Sequence, residues 1–484
     1  MIDCGNGLVA GETMENEAII GFTKRSTPWR SIAVMAGLEF GYGFQLALYL
    51  APIWPYLQVI DKSASDRFYG LIVMANALGQ LIACPLFGFW SRRVSTIVTP
   101  IYLCLTLTLL GNILFLTAAF LPDNAKFVIL ISRFVIGTGE AVLTLTRSYT
   151  AMASLPSDRS KAYGFSAAGL ALGLLVGPAI QIAFSFLDYP GILLFSRLRL
   201  NLYTIAPLAV LLTTLIELFV FKFVFEETYP AIVKDKTTQE KIRCDKLAMV
   251  VMYFARFCQY FSFACAETLA ATYIMSMYAK THDETATLLS ILNTIEGLLA
   301  LAAYVFFIVV KVEKWISFRL LSIIGFLGLT ILPFAGIPYP FYPTNIAIAA
   351  TVNNVTSPGC STALYSWCYD TKQVNFLVFT IALVVSIGAV FNMMTVVLST
   401  MFSKIIGPKP QTCQQSFFQS TACFGRIVGP VLISSLFTRY GPAAAWLSQL
   451  ALLFVVLIVL SSTYHRLVPA QFEPPYKKQT NARH

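Results

Sequence analysis

The chain of 484 residues is 57% hydrophobic and only 12% charged, and its mean hydropathy is +0.70. Long apolar runs recur from one end to the other, which excludes a soluble globular protein and indicates an all-α membrane protein in contact with lipid. The net charge of +10 does not indicate a nucleic-acid partner, because the basic residues lie in short loops between the apolar runs. The ten cysteines show no metal-ligand spacing, so we expect neither a metal nor a cofactor.

Twelve apolar runs are each long enough to cross a bilayer as a helix. The first of them is too long for a signal peptide, so we expect no secretory signal. An even number of crossings places both termini on one side, and most Lys and Arg lie on that side, which predicts cytosolic tails at 1–31 and 467–484. The runs lie at roughly 32–59, 68–91, 96–120, 126–151, 160–186, 201–225, 247–279, 286–311, 316–337, 374–403, 412–437 and 442–465.

The polar stretch 226–246 separates six runs from six, as a linker between two bundles would. We therefore predict an N-terminal six-helix bundle at 32–225 and a C-terminal one at 247–466. A weak glycine-proline repeat crosses this divide, and repeated halves are typical of transporters, although chance could also produce the match. We predict a gating role for the matching residues, which are Gly173, Gly177 and Pro178 in the fifth run and Gly425, Gly429 and Pro430 in the eleventh.

Charged residues inside the apolar runs are the strongest indication of function. Each costs about 2.5–3.5 kcal/mol near the bilayer centre, so they should face a polar interior. An ion pair that only fixes helix packing is the alternative for each of them. We predict substrate binding or proton coupling for Arg133, Glu140, Glu267, Glu39 and Arg256, and a gating pair between Glu296 of the eighth run and Arg426 of the eleventh.

Any proton coupling should use a carboxylate, because the three histidines lie in a loop, at the end of a run and at the C-terminus. We favour Glu267, which lies deep in an apolar run. For Glu217 in the sixth run we expect a packing role near the cytosolic face. No Walker loop, zinc signature or nucleophile elbow occurs, so we expect no enzymatic activity, and we interpret Gly41-Tyr42-Gly43 as a packing feature.

Two segments outside the runs carry candidate modification and sorting signals. The loop 338–373, on the non-cytosolic side, contains a glycosylation sequon at Asn354. It also contains Cys360 and Cys368, for which a disulfide and two free thiols are both open. The N-terminal tail fits the acidic dileucine pattern that sorting adaptors bind, a short pattern with many chance matches, through Glu15, Ile19 and Ile20.

The two halves of six runs and their loop and glycine motifs resemble the major facilitator superfamily over residues 30–466. The resemblance implies that runs one, four, seven and ten line a central cavity. In the second-to-third loop, Gly88, Arg92 and Arg93 match the family motif, but its acidic residue and second glycine are missing, so its salt-bridge latch is not implied. The fourth-run and fifth-run motifs are matched in part, with Ala141 in place of a third glycine and with Gln181 and Ile182 where a glycine pair is expected. The matching residues are Arg133, Gly137, Gly139, Gly164, Gly173, Gly177 and Pro178.

The chain is also similar, in several stretches, to the lysosomal member of that superfamily associated with neuronal ceroid lipofuscinosis. These stretches include IWPYLQ (53–58), RSYTA (147–151) and FACAETL (263–269). The similarity implies an endolysosomal membrane protein, which we expect to be a monomer. Three functions stay open: a secondary active transporter that moves a small solute or anion by alternating access, with or without proton coupling; an anion (chloride) channel on the same fold; and a transport-silent receptor or adaptor that uses the loop 338–373.

Overall fold

The computed structural model describes residues 26–472, except 51–52, 61–65, 121–123, 185, 188–190, 196–197, 234–241, 311, 313–314, 350, 353–354, 357–358 and 363–364. The sorting pattern (Glu15, Ile19 and Ile20) and the sequon residue Asn354 therefore lie outside the described residues. Within the described part, eleven helices are long and apolar enough to cross a membrane. The last of these, Thr412–Ser462, contains a break at Gly441, where φ is +86° and Pro442 follows, so it makes two crossings. The prediction of a twelve-helix membrane protein is confirmed.

The N-terminal bundle contains the first six spans. The first consists of Trp29–Leu50 followed by Ile53–Ile60, and the second is Asp66–Val94. The third is Val98–Thr117, and the fourth consists of Ala125–Gly139 and Val142–Ala153. The fifth is Arg159–Ala183 and the sixth is Leu202–Val224, with a small antiparallel pair, Ile192–Phe195 and Leu198–Leu200, between them.

The C-terminal bundle contains the other six spans. The seventh is Lys246–Tyr278 and the eighth is His282–Val309. The ninth consists of Phe318–Leu329 and Ile331–Gly336, and the tenth of Phe376–Val384, a π-helical segment Val385–Phe391, and Asn392–Ile406. The eleventh and twelfth are 412–440 and 442–462. Short strands Thr351–Val352 and Val355–Thr356 pair in the loop after the ninth span.

Two spans that occupy matching places in the bundles are interrupted near their centres, although their apolar runs predict continuous helices. In the fourth span, the backbone around Glu140 and Ala141 forms 3₁₀-type hydrogen bonds, in which each N–H donates to the carbonyl three residues earlier. Ala141 N donates to Thr138 O, and Thr144 N donates to Ala141 O. In the tenth span, the π-helical segment frees carbonyl groups, and Asn392 Nδ2 donates to two of them at 2.9 Å. Side-chain amides inside the protein thus stabilise backbone that hydrocarbon could not solvate.

The glycine-proline repeat lies at close crossings between two pairs of spans. A Cβ built on Gly173 of the fifth span would overlap the carbonyl oxygen of Phe40 in the first span. The equivalent Cβ on Gly425 of the eleventh span would lie 2.8 Å from the carbonyl oxygen of Phe257 in the seventh span. Small residues therefore allow the fifth span to pack on the first and the eleventh on the seventh. Gly177 and Gly429 continue these two contacts one turn further along, and Pro178 and Pro430 lie inside the helices.

Both described ends of the chain lie on one face of the molecule, which we call the terminal face. The segment 226–233 forms hydrogen bonds with both bundles at this face. The backbone oxygen of Glu226 accepts hydrogen bonds from Ser31 Oγ at 2.9 Å and Tyr149 OH at 3.1 Å. Val233 N donates to Pro408 O at 3.2 Å, which links the segment to the C-terminal bundle. Further along, the strands Ile242–Arg243 and Gln471–Phe472 pair. On the opposite face, a disulfide joins Cys360 and Cys368, with their Cα atoms 5.9 Å apart.

Candidate functional site

Glu140 lies at the break in the fourth span and is only 2% exposed. Two amide side chains solvate its carboxylate. Asn76 Nδ2 of the second span donates to Oε2 at 2.9 Å, and Gln45 Nε2 of the first span donates to Oε1 at 3.2 Å. The backbone oxygen of Glu140 accepts hydrogen bonds from Leu143 N at 3.2 Å and from Gln80 Nε2 at 3.5 Å. The break therefore holds a buried acid at the junction of three helices.

Arg133 lies about 10 Å from Glu140 along the same span, at ~1.5 Å per residue. Its guanidinium carbon lies 4.7 Å from the centre of the Tyr49 ring, and the residue is 6% exposed. The Nε and Nη1 groups are buried and donate no hydrogen bond to any residue that the structure describes. Because buried guanidinium donors are normally satisfied, two of them without an acceptor indicate a place for an anionic group.

Arg426 of the eleventh span faces this region from the C-terminal bundle. Its Nη1 group donates to Tyr42 OH of the first span at 3.4 Å, a hydrogen bond between the two bundles. It is near enough to interact electrostatically with both Glu140 and Glu267. At this centre, no pair of a described Arg and a described Glu lies within ion-pair distance. The charges are therefore near each other but form no direct ion pair.

Glu267 of the seventh span completes the centre. Protein atoms surround it closely, and its electrostatic neighbours are Arg426 of the eleventh span and Tyr69 of the second. Its side chain is nonetheless exposed. These two observations agree if Glu267 lines an open space between the bundles, because a lipid-facing side chain would not have charged and phenolic neighbours from the opposite bundle.

The predicted gating pair of Glu296 and Arg426 is not formed in this conformation. Glu296 of the eighth span is half-buried, and its charged neighbour is Glu267. Arg426 uses its hydrogen bond on Tyr42 instead. The central group therefore consists of Arg133, Glu140, Glu267 and Arg426, with Glu296 at its edge.

A second charged group lies nearer the terminal face. Glu39 of the first span is 1% exposed and accepts hydrogen bonds from Ser166 Oγ at 2.8 Å and Thr146 Oγ1 at 3.2 Å. With Arg147 it lines a cavity of about 10 Å³, roughly the space that one water molecule needs. Arg147 Nη1 donates to Gln419 Oε1 of the eleventh span at 2.8 Å, which joins the two bundles.

Arg256 belongs to this second group and not to the central one. It is fully buried, and its guanidinium lies between the rings of Tyr260 at 4.6 Å and Phe418 at 4.9 Å. Its Nη1 group donates to Gln259 Oε1 at 2.9 Å, and Gln259 Nε2 donates to the backbone oxygen of Phe391 at the end of the π-helical segment. Arg256 therefore supports the interrupted tenth span.

The bundles meet from the membrane centre to the terminal face. Cys423 Sγ donates to Gln80 Oε1 at 3.3 Å, and Gln415 Nε2 donates to Tyr163 OH at 3.3 Å. Gly88 has no side chain to separate the second span from Ser416, since a Cβ there would overlap the Ser416 hydroxyl. Arg92 and Arg93 are exposed. In this conformation the terminal face is closed.

Sequence reasoning did not find the uncharged polar residues of the central and second charged groups. They are amides and phenols inside apolar runs, and each becomes informative only when its partner on another helix is known. A search for Asn and Gln within membrane spans would have found the amides, because such residues need hydrogen-bond partners in hydrocarbon. The residues are Gln45, Asn76, Gln80, Gln259 and Gln419, with Tyr42 and Tyr49.

Comparisons with known proteins agree with this architecture. The family model described as Major Facilitator Superfamily matches residues 35–372. "Major facilitator superfamily domain-containing protein 8" of Xenopus laevis is 27% identical over 478 residues, covering 91% of this chain and 92% of the relative.

Solved transporters share the fold at low sequence identity. The human organic anion transporter MFSD10 (TETRAN) has a TM-score of 0.62 and 15% identity, over 90% of this chain and 100% of that one. The transporter FucP in its outward conformation has a TM-score of 0.65 and 13% identity, over 89% and 98%. With twelve spans in two bundles and a family match over more than half of its length, the chain belongs to the Major Facilitator Superfamily.

Proposed function

We propose that this protein is a secondary active transporter that moves a small anionic solute across an endolysosomal membrane by alternating access. The family match and the transporters that share the fold support a membrane transporter. The main support for an anionic substrate is Arg133, whose Nε and Nη1 groups are buried and have no acceptor among the described residues. The proposed binding centre lies between the two bundles, and alternating access would require them to rock about it.

The surroundings of Arg133 favour an anion over a cation. Glu140, the nearby acid, is already solvated by Asn76 and Gln45, so it needs no cationic ligand. The Nε and Nη1 groups each offer an N–H donor to an anion, and a carboxylate or a similar oxyanion supplies oxygen acceptors for such donors. MFSD10, which shares the fold, is an organic anion transporter, and its substrate class agrees with this proposal.

Glu267 is the group that we propose to couple transport to protons. It lines the open space, and Arg426 lies within electrostatic reach. A carboxylate in such a place can bind a proton when Arg426 turns to the substrate and release it when Arg426 returns. The proton and the anion would then cross in the same cycle.

The endolysosomal location rests on the resemblance of the chain to a lysosomal family member and on the tail pattern Glu15, Ile19 and Ile20. A dileucine-type pattern in a cytosolic tail is bound by sorting adaptors, which would direct the protein to acidic vesicles. In such vesicles the proposed proton coupling has a standing pH gradient to use.

The experiment that tests the proposal measures uptake of labelled chloride and of labelled small carboxylates into proteoliposomes. Uptake should saturate, and Arg133→Lys should raise the half-saturating concentration at least tenfold, because an ammonium cannot replace the planar guanidinium donors. The matched control is Arg199→Lys, an exposed arginine of the small strand pair on the opposite face. Equal half-saturation in Arg133→Lys and wild type would refute the anion site, and current without saturation would favour a channel.

A further inference from the structure

A groove opens on the outer surface of the N-terminal bundle, between the first and sixth spans. Its volume is about 460 Å³. The wall is apolar and reaches the surface, since Ile216 is 53% exposed. Arg30 lies at its end on the terminal face, and the apolar lining includes Ala33, Gly37, Phe40, Ile216 and Val220. None of these residues belongs to the central site or to the second charged group.

Among the described residues that line this groove, Glu217 is the acidic one. Its Oε1 atom is buried and accepts no hydrogen bond, and no Lys or Arg in the described part of the chain forms an ion pair with it. Lys222, on the same helix, lies 5.5 Å from the centre of the Phe223 ring instead. We expected a packing role for Glu217, but no polar partner among the described residues holds its carboxyl in place.

Gly41 makes room for this carboxyl. A Cβ built on Gly41 would overlap Glu217 Oε1, so a larger residue in the first span would push the acid out of the groove. Along the first span, Gly41 lies roughly 16 Å from Arg30, at ~1.5 Å per residue. The carboxyl is thus deep in the hydrocarbon region, well separated from the basic residue at the end of the groove.

We propose that this groove binds a lipophilic primary amine, with the alkyl chain along the apolar wall and the ammonium paired with Glu217. An ion pair gains most where the dielectric constant is low, and an unpaired carboxylate is least stable there. The alkyl chain adds the burial of apolar surface. An anionic phospholipid fits less well, because its phosphate would meet Arg30 and leave the carboxyl, about 16 Å further in, without a partner.

The test uses a photoreactive dodecylamine and the full-length protein in phosphatidylcholine nanodiscs. Labelling should map to the first and sixth spans, and dodecylamine should compete at a concentration at least tenfold lower than dodecanol. Glu217→Gln should remove this difference between amine and alcohol. The matched control is Glu284→Gln, which removes an equal charge from an exposed carboxylate that pairs with Lys280 at 3.8 Å, and it should behave as wild type.

A second variant keeps the proposal testable if Glu217→Gln does not fold. Ile216→Trp should fill the groove while leaving the carboxyl, and it should lower labelling at least fivefold. Equal competition by dodecanol and dodecylamine, or full labelling of Glu217→Gln, would overturn the amine site. The amine site would also be overturned if dodecanoate competed at the lowest concentration and if Arg30→Gln abolished this competition, because the groove would then bind an anionic lipid. These outcomes leave the transport proposal untouched, since Glu217 lies outside the central site.

Discussion

At the scale of single residues, the centre combines satisfied and unsatisfied charges. Glu140 has two amide donors, whereas Arg133 has buried donors without acceptors. A buried charge with complete hydrogen bonding is structural, and one that lacks partners is ready for a ligand. The sequence could indicate both residues, since their spacing places them on one helix face. It could not indicate their different states, which depend on Asn76 and Gln45 from other helices.

The predicted pair of Glu296 and Arg426 shows the same limit. Both residues lie on the spans that the sequence indicated. Which residues pair across helices depends on the rotation of each helix about its axis, and an apolar run in the sequence does not define that rotation. Arg426 lies near Tyr42, Glu140 and Glu267, and Glu296 lies near Glu267. A gating role for Glu296 and Arg426 therefore remains a proposal for another conformation.

The prediction at the scale of single residues concerns Glu267. Glu267→Gln keeps the size and hydrogen-bonding capacity of the side chain but cannot exchange a proton. We expect anion uptake into proteoliposomes to lose its dependence on an imposed pH gradient, while the amount of protein in the membrane stays the same. Glu284→Gln, at an exposed position in the first turn of the eighth span, is the control and should keep the wild-type response. An unchanged response in Glu267→Gln would remove Glu267 from the proton-coupling role.

At the scale of helices, the structure explains the glycine-proline repeat as packing. The repeat places small residues where the fifth span crosses the first and where the eleventh crosses the seventh. The sequence shows the repeat, but it does not show that these glycines lie at helix crossings, because glycine occurs equally in bends and turns. The breaks in the fourth and tenth spans were missed altogether. Neither Glu140-Ala141 nor Val385–Phe391 contains a proline that would signal one.

The helix-scale prediction compares two glycines. Gly173→Ala places a methyl group against the backbone of Phe40, and the forced shift should cost roughly 1–3 kcal/mol and lower the Tm by several degrees. Gly70→Ala is the matched control in the second span, because no atom lies within 4 Å of its added Cβ. Thermal unfolding of the purified variants makes the comparison. Equal Tm values for the two variants would contradict the close crossing of the first and fifth spans.

At the scale of the whole molecule, contacts from the centre to the terminal face hold the two bundles together. Arg147 with Gln419, and Tyr163 with Gln415, join them on that side. Opening the terminal face would break these hydrogen bonds and expose the second charged group to water. The division into two bundles followed from the sequence, because loop polarity and run length are local properties. The conformation did not, because it depends on contacts between the halves.

A whole-molecule prediction concerns location. Replacing Ile19 and Ile20 together with Ala should divert the protein from acidic vesicles to the cell surface, because adaptor binding needs both apolar side chains. Microscopy of the tagged full-length protein, with surface biotinylation, measures the shift. A control replacement of Ile2, in the same tail but outside the pattern, should leave the location unchanged. A double variant that still resides in acidic vesicles would show that another signal directs sorting.

The most direct measurement of alternating access is exchange across a membrane that contains the purified protein. Proteoliposomes loaded with an unlabelled transported anion should take up the labelled anion at least several times faster than empty ones, because the loaded carrier returns more readily than the empty one. The acceleration should fall in Arg133→Lys and persist in Arg199→Lys. Uptake that is independent of internal anion, together with a current that rises in proportion to voltage, would contradict the carrier and identify a channel.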